Sequence, residues 1–195
     1  SSKAEAQLPN LAGGLGYLVD LEGQDQYRSG NMAQGSGYYF GIGVALDLDG
    51  DDTRTGGRTS LGAAGHYGIG LFVDAQGTDR YTPSGPKHTL SAASERSVSL
   101  SIDAGTRPDT YDLTRSTGLG EADGESWALF IDEGGADRYQ GLAGLGHGTQ
   151  DSLGLFFDLA GTDYYDGPPG TAPTTTSGRG NERTLRAAGS LFQDR

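Results

Sequence analysis

The chain has 195 residues, no cysteine, 35 glycines and a formal charge of −12 at pH 7. The lack of cysteine removes disulfides and zinc–thiolate centres, and the negative charge disfavours nucleic acid and anionic membranes, both polyanions. The length is enough for one domain with a sizeable core, the glycines follow no collagen triplet, and no stretch reaches the apolar length of a membrane-spanning helix.

From residue 14 onward one phrase recurs six times: an apolar strand followed by Asp-x-x-Gly-x-Asp-x-Tyr. Its leading aspartates are Asp20, Asp47, Asp74, Asp103, Asp132 and Asp158, at spacings of 27, 27, 29, 29 and 26 residues. A fixed period in this range means stacked units rather than one folded globule. The boundaries fall near 8–31, 32–60, 61–89, 90–118, 119–144 and 145–184, with a partial unit at 185–195.

Each unit opens on a short segment headed by Met32, Leu61, Leu90, Leu119 or Leu145 and continued by small or polar residues. Leu8–Ala12 reads as a degenerate first version. Next comes the long strand. Positions one, three and five before the leading aspartate are Leu15, Tyr17, Val19; Ile42, Val44, Leu46; Ile69, Leu71, Val73; Val98, Leu100, Ile102; Trp127, Leu129, Ile131; and Leu153, Leu155, Phe157. All eighteen are apolar, and period-two alternation predicts that they form the buried face.

Positions four and six before the aspartate are Gly, Ser or Ala in every copy, most clearly at Gly14, Gly16, Gly41, Gly43, Gly68 and Gly70. Repeated glycine in a strand points to close backbone approach. Two readings stand: a tightly packed second layer within the chain, or a flat face for a partner subunit.

Asp-x-x-Gly then suits a type I turn in five copies; in the fourth the glycine moves to Gly105 and one residue is added. A short strand follows, where Tyr27, Tyr81, Tyr111, Tyr139 and Tyr165 are expected to stack, with Arg54 interrupting them. Three extended segments in 26–29 residues predict an all-β fold, a parallel β-solenoid of about six coils. A propeller blade needs four strands and roughly 40 residues. Residues 167–180 form a Pro/Gly-rich loop. Leu185-Arg-Ala-Ala-Gly189 restarts a unit whose aspartate motif is not expected before Arg195.

In register, equivalent aspartates would lie about 4.8 Å apart. Two bare charges at that distance repel by roughly 0.9 kcal/mol in water, or about 3.5 kcal/mol at an effective dielectric of 20. Turn N–H groups can offset this, and so can Arg28, Arg54, Arg80, Arg107 and Arg138, each within three residues of a second-column aspartate. The third means is a hard cation bridging coils. The candidate ligands are Asp20, Asp25, Asp47, Asp49, Asp51, Asp52, Asp74, Asp79, Asp132, Asp137, Asp158 and Asp163. Two readings stand: metal-free turn residues, or ligands of a cation, for which calcium is the candidate. Gly134-Gly-Ala-Asp137-Arg-Tyr139-Gln-Gly141 and Gly161-Thr-Asp163-Tyr-Tyr-Asp-Gly167 resemble the Gly/Asp-rich repeats of secreted haemolysin-type proteins. The resemblance covers the turns alone and implies calcium held between coils of a parallel β-roll.

His66, His88 and His147 sit in no ligand or nucleophile motif and are expected at the surface or in turns. No Gly-x-Ser-x-Gly elbow or phosphate loop is present. The expected function is an acidic structural or binding module that contacts protein or glycan or forms a subunit of a larger assembly, on a secreted or cell-surface protein. Ser1 is not an initiator Met, so a processed form or a fragment is expected. The alternative is a carbohydrate-active β-helix that uses the Asp47, Asp49, Asp51 and Asp52 carboxylates as acid and base.

Overall fold

The computed structural model describes residues 12–141, 143–166, 178–179, 183–187 and 189–195. The 167–180 loop, save for 178–179, and residues 8–11 of the opening segment lie outside them.

The coils wind as the period predicts, into an all-β parallel solenoid of about six turns. Each long strand adds to one sheet: Gly14–Asp20, Gly41–Asp47, Ile69–Asp74, Val98–Asp103, Trp127–Asp132, Leu153–Asp158 and Ser190–Asp194 lie side by side in parallel. The repeat stays in register throughout, so Asp47 pairs with Asp20 and Asp74, and Asp132 with Asp103 and Asp158. The tyrosine-bearing strands Gln26–Arg28, Thr53–Thr55, Arg80–Tyr81, Thr110–Asp112, Arg138–Gln140 and Tyr164–Asp166 form a second sheet. Gly37–Tyr38, Ala64–Gly65, Ala92–Ser94 and Glu121–Ala122 form a third.

Which strand face is buried differs from the sequence reading. In the long strands from Ile69 to Asp158, the apolar positions one, three and five are half-buried or exposed. The alternate positions, ending on the aspartate itself, are buried. The inner face therefore carries a small residue, then Phe or Ser, and then the Asp. Narrowness explains the choice. A Cβ on Gly43 would overlap the Ser36 carbonyl, and one on Gly70 the Gly62 carbonyl, because the third sheet presses on the long strands there. Only residues without bulk fit at those positions.

The glycine row is thus the tightly packed inner layer and not a partner face: Gly43, Gly68 and Gly70 are buried and Gly41 is half-buried. Gly14 and Gly16 are exposed in the first coil. In later coils serine fills the same row and stitches the coils together. Ser97 Oγ accepts from the Gly68 N–H at 3.1 Å, and Ser126 Oγ from the Ser97 N–H at 3.1 Å.

The core is built from the two Asp-bearing segments and the leucines that head each unit. Tyr81, Tyr111, Tyr139 and Tyr165 stack at 4.8–5.0 Å between ring centroids, as the repeat predicts. Phe72, Phe130, Phe156 and Phe192 meet them edge-on. Leu61, Leu90, Leu119 and Leu145 fill the remaining space, fully buried. Met32, in the same role, is exposed.

Two departures concern the last unit. Ser190–Asp194 is a seventh long strand, and its Asp194 pairs with Asp158 and is buried, so a seventh leading aspartate does arrive. Arg183–Ala187 then pairs antiparallel with that strand, and Gly178–Arg179 antiparallel with Tyr164–Asp166.

Candidate functional site

Two surfaces of the repeat could carry function: the acidic rows inside the coil and the apolar rows outside. The inner rows hold most of the predicted ligands.

Asp74, Asp79, Asp103, Asp109, Asp132, Asp137, Asp158 and Asp163 are each at most 3% exposed, and Asp47 and Asp52 are also buried. Asp20 and Asp25 are half-buried in the first coil. Asp49 and Asp51 point outward to solvent, where Arg107 pairs with Asp51 at 2.8 Å. The four-carboxylate group around Gly50 is therefore split between the inside and the outside, and does not form one acid–base pair. Gly23, Gln24, Asp49, Gly50, Asp51 and Arg107 line a shallow depression there.

The second aspartate of each motif bonds across coils. Asp52 Oδ1 accepts the Asp25 N–H at 2.7 Å, and Asp79 Oδ1 the Asp52 N–H at 2.7 Å. Asp109, Asp137 and Asp163 continue the ladder at 2.6, 2.6 and 2.8 Å. Each carboxylate satisfies an inward-pointing amide of the preceding coil that no sheet partner reaches. A buried orphan amide would cost about 1–3 kcal/mol. This is why the motif keeps aspartate at a buried position.

The leading aspartates are bridged by tyrosine. Tyr81 Oη donates to Asp74 at 2.8 Å and lies 3.2 Å from Asp103; Tyr111 Oη lies 2.6 Å from Asp103 and 2.9 Å from Asp132. Tyr27 joins Asp20 and Asp47 in the same way. In the second coil Arg54 replaces the tyrosine. Its guanidinium is buried, pairs with Asp47, lies 3.4 Å from Asp52 and 3.7 Å from Asp74, and stacks 3.8 Å over the Tyr27 ring.

Of the five arginines expected to neutralise the columns, only Arg54 enters. Arg80 reaches toward Asp112, Arg107 pairs with Asp51, Arg138 with Asp166, and Arg28 donates to Gln26, all on the outside. Burial accordingly pushes the inner carboxyls up: Asp79 to about 7, Asp74 to about 8 and Asp109 to about 9, with neighbouring carboxylates adding to the rise. Asp103 and Asp132 are raised by the same cause.

Outside, the eighteen apolar residues expected in the core form three parallel rows across six strands. Tyr17 is 78% exposed, Leu15 69% and Trp127 64%. Leu21, Leu48 and Leu159 extend the surface at the turns. With strands about 4.8 Å apart and alternate residues about 7 Å apart, the rows cover roughly 400 Å², in the range at which exposed apolar patches are commonly functional. The turn-side rim carries Glu22, Asp49, Asp51 and Glu133 against Arg107 and Arg195.

The opposite rim is a corner of consecutive left-handed residues: Tyr39 and Phe40, His66 and Tyr67, Glu95 and Arg96, Gln150 and Asp151, with φ of 47–62°. Tyr39 stacks on His66 and Phe40 on Tyr67, while Arg96 pairs with Glu125. His66 pairs with Glu95 on this corner; His88, expected at the surface or in a turn, lies outside the strands and is buried near Asp123. Sequence reasoning found the outer residues but put them on the wrong side. The available signal was parity: the aspartates share a face with Gly, Ser and Ala, and a narrow coil must turn its small residues inward.

No family model, curated protein or solved structure matches this chain. Among the described residues no helix is long and apolar enough to cross a membrane.

Proposed function

We propose that the chain is a structural docking module that binds a protein partner along its outer apolar sheet. The observation that carries this reading is the composition of that face. Its eighteen outward positions on six strands are all apolar, and no charged side chain interrupts them. A solvated sheet face alternates polar residues outward, so uniform apolarity is a cost that a covering partner removes. Gross burial of about 400 Å² is worth roughly 10 kcal/mol, before the entropy of association is subtracted.

Charge selects the kind of partner. Both rims are mainly acidic and the chain carries −12, which opposes a second copy of itself. The fitting surface is an aliphatic strip flanked by Lys or Arg, as on a basic amphipathic helix.

Trp127 is the sole tryptophan and stands on the face, so it reports directly. Titration with a model Leu/Lys amphipathic helix should shift its emission to the blue and shield it from acrylamide. A Leu/Glu helix of equal length should do neither, and Leu100→Lys should abolish the response to the first. Equal binding of both helices, or sedimentation showing that the chain covers this face with its own copy, would overturn the proposal.

A further inference from the structure

The inner rows are bridged differently at their two ends. Tyr27, Tyr81 and Tyr111 each span the aspartates of two successive coils. Tyr139 bonds to Asp132 at 2.7 Å, but no hydrogen bond joins it to Asp158 in the next coil. Where that bridge is missing, three carboxylates converge: Asp137, Asp158 and Asp163 each place one oxygen within 4.8 Å of the other two, and all are at most 1% exposed.

Each of the three has one oxygen held and one left over. Asp137 Oδ1 accepts the Asp109 N–H, Asp163 Oδ1 the Asp137 N–H, and Asp158 Oδ2 the Tyr165 hydroxyl at 2.9 Å. Asp137 Oδ2, Asp158 Oδ1 and Asp163 Oδ2 meet no N–H or hydroxyl donor among the described residues. Buried polar atoms without partners are rare in a folded protein and call for an explanation.

The second coil shows what such a trough accepts. There two leading aspartates, Asp47 and Asp74, and one second-column aspartate, Asp52, surround the Arg54 guanidinium. The protein has placed a positive charge among three carboxylates at one level, and offers three carboxylates with none at the other.

We propose that Asp137, Asp158 and Asp163 bind a calcium-sized cation inside the coil, between the fifth and sixth turns. This is independent of the docking reading, since it uses the opposite face of the same strands. It also differs from the turn sites expected of the sequence, because the ligands face the interior. Oxygen separations up to 4.8 Å suit metal–oxygen bonds of about 2.3–2.6 Å, and an irregular set of carboxylates suits calcium. Magnesium demands bonds near 2.0–2.1 Å and retains several waters, which a site this enclosed does not favour.

Terbium(III), a hard oxygen-binding ion whose emission nearby phenols sensitise, is the probe. Tyr165 bonds to Asp158 directly and Tyr139 is its stacked neighbour. Chelator-stripped full chain should show saturable sensitised emission at about one equivalent, displaced by calcium, and calcium should raise the melting temperature. Asp163→Asn retains an acceptor for the Asp137 N–H and should fold, as circular dichroism will verify, while losing affinity by about tenfold or more through the lost charge. Asp51→Asn, on the outer surface, should bind as the wild type does. No saturable emission, or emission lost in Asp51→Asn and kept in Asp163→Asn, would overturn the proposal. So would a wild-type melting temperature indifferent to calcium, because it would leave the inner oxygens to shared protons. Should Asp163→Asn not fold, equilibrium dialysis of wild type with calcium decides by stoichiometry, and less than one tightly held ion refutes the site.

Discussion

Arg54→Met tests whether the buried guanidinium is the counter-ion of the second coil. Methionine keeps most of the unbranched stem and removes only the charge and its donors. At 3.4 and 3.7 Å, Asp52 and Asp74 each attract the guanidinium by about 4–5 kcal/mol at an effective dielectric of 20. Desolvating the guanidinium takes back much of that, but removing one partner of a buried set leaves the others uncompensated, typically at about 3–5 kcal/mol. In a chain of this length each kcal/mol moves the melting temperature by about 2–4 °C, so a loss of roughly 6–20 °C is expected at pH 8. The penalty must depend on pH. Once the arginine is gone, the stranded carboxylates can draw in protons, and this becomes easier by about 1.4 kcal/mol per pH unit and proton. Near pH 5 the loss should shrink to about 1 kcal/mol. Thermal melts of wild type and variant at pH 5 and pH 8, both free of divalent ions, provide the comparison. Equal losses at the two pH values, or a variant as stable as the wild type at both, would refute the counter-ion reading.

Three further outcomes follow from the same geometry. Asp74 and Asp79, raised to about 8 and about 7, are protonated in the fold at pH values where the unfolded chain has already lost the protons. Their contribution is therefore complete below about pH 4 and is lost as pH rises through 7 to 8; Arg54, Asp103 and Tyr81 face Asp74, and Asp52 and Asp109 flank Asp79 along the ladder. Metal-free melts from pH 5 to 9 should thus fall, and Asp79→Asn should flatten the slope. Neighbouring residues test which face is inside: Phe72→Ala should cost about 3–5 kcal/mol, while Leu71→Ser, one residue away on the outer face, should cost less than about 1.5 kcal/mol by urea denaturation. Tyr111→Phe removes the hydroxyl between Asp103 and Asp132 and should cost about 1–3 kcal/mol, measured the same way.

The coil architecture was legible because its causes are local. A period of 26–29 residues, strand alternation and Asp-x-x-Gly turns place six of the seven long strands, and the spacing of Tyr81, Tyr111, Tyr139 and Tyr165 alone predicts their stack. The inner face was not legible from hydropathy because both faces of the strand carry apolar residues; width decided it, and width is a property of three sheets meeting. The cross-coil bond from Asp79 Oδ1 to the Asp52 N–H was hidden for a related reason, as its partners stand 27 residues apart. The left-handed corners gave little glycine signal, since Tyr39, Phe40, His66 and Tyr67 occupy two of them and glycine appears only at Gly13 and Gly124. Asp194 was missed because the sequence carries only one residue after it, too few to show the Gly and second Asp that mark the other copies. Of the predicted ligands, the structure gathers Asp137, Asp158 and Asp163 and sends Asp49 and Asp51 to the outside.

The two antiparallel strands near the last coil bear on assembly. A stack of parallel coils is a template for its own elongation: any chain with the same strand spacing can extend it, as in a fibril. Arg183–Ala187, running against Ser190–Asp194, changes the hydrogen-bond pattern at that margin of the long sheet from evenly spaced to alternately narrow and wide. Gly178–Arg179 does the same to the tyrosine sheet. A coil arriving in parallel with the stack would have to pair against the chain direction of these two strands, a different ladder from the one that joins the other coils.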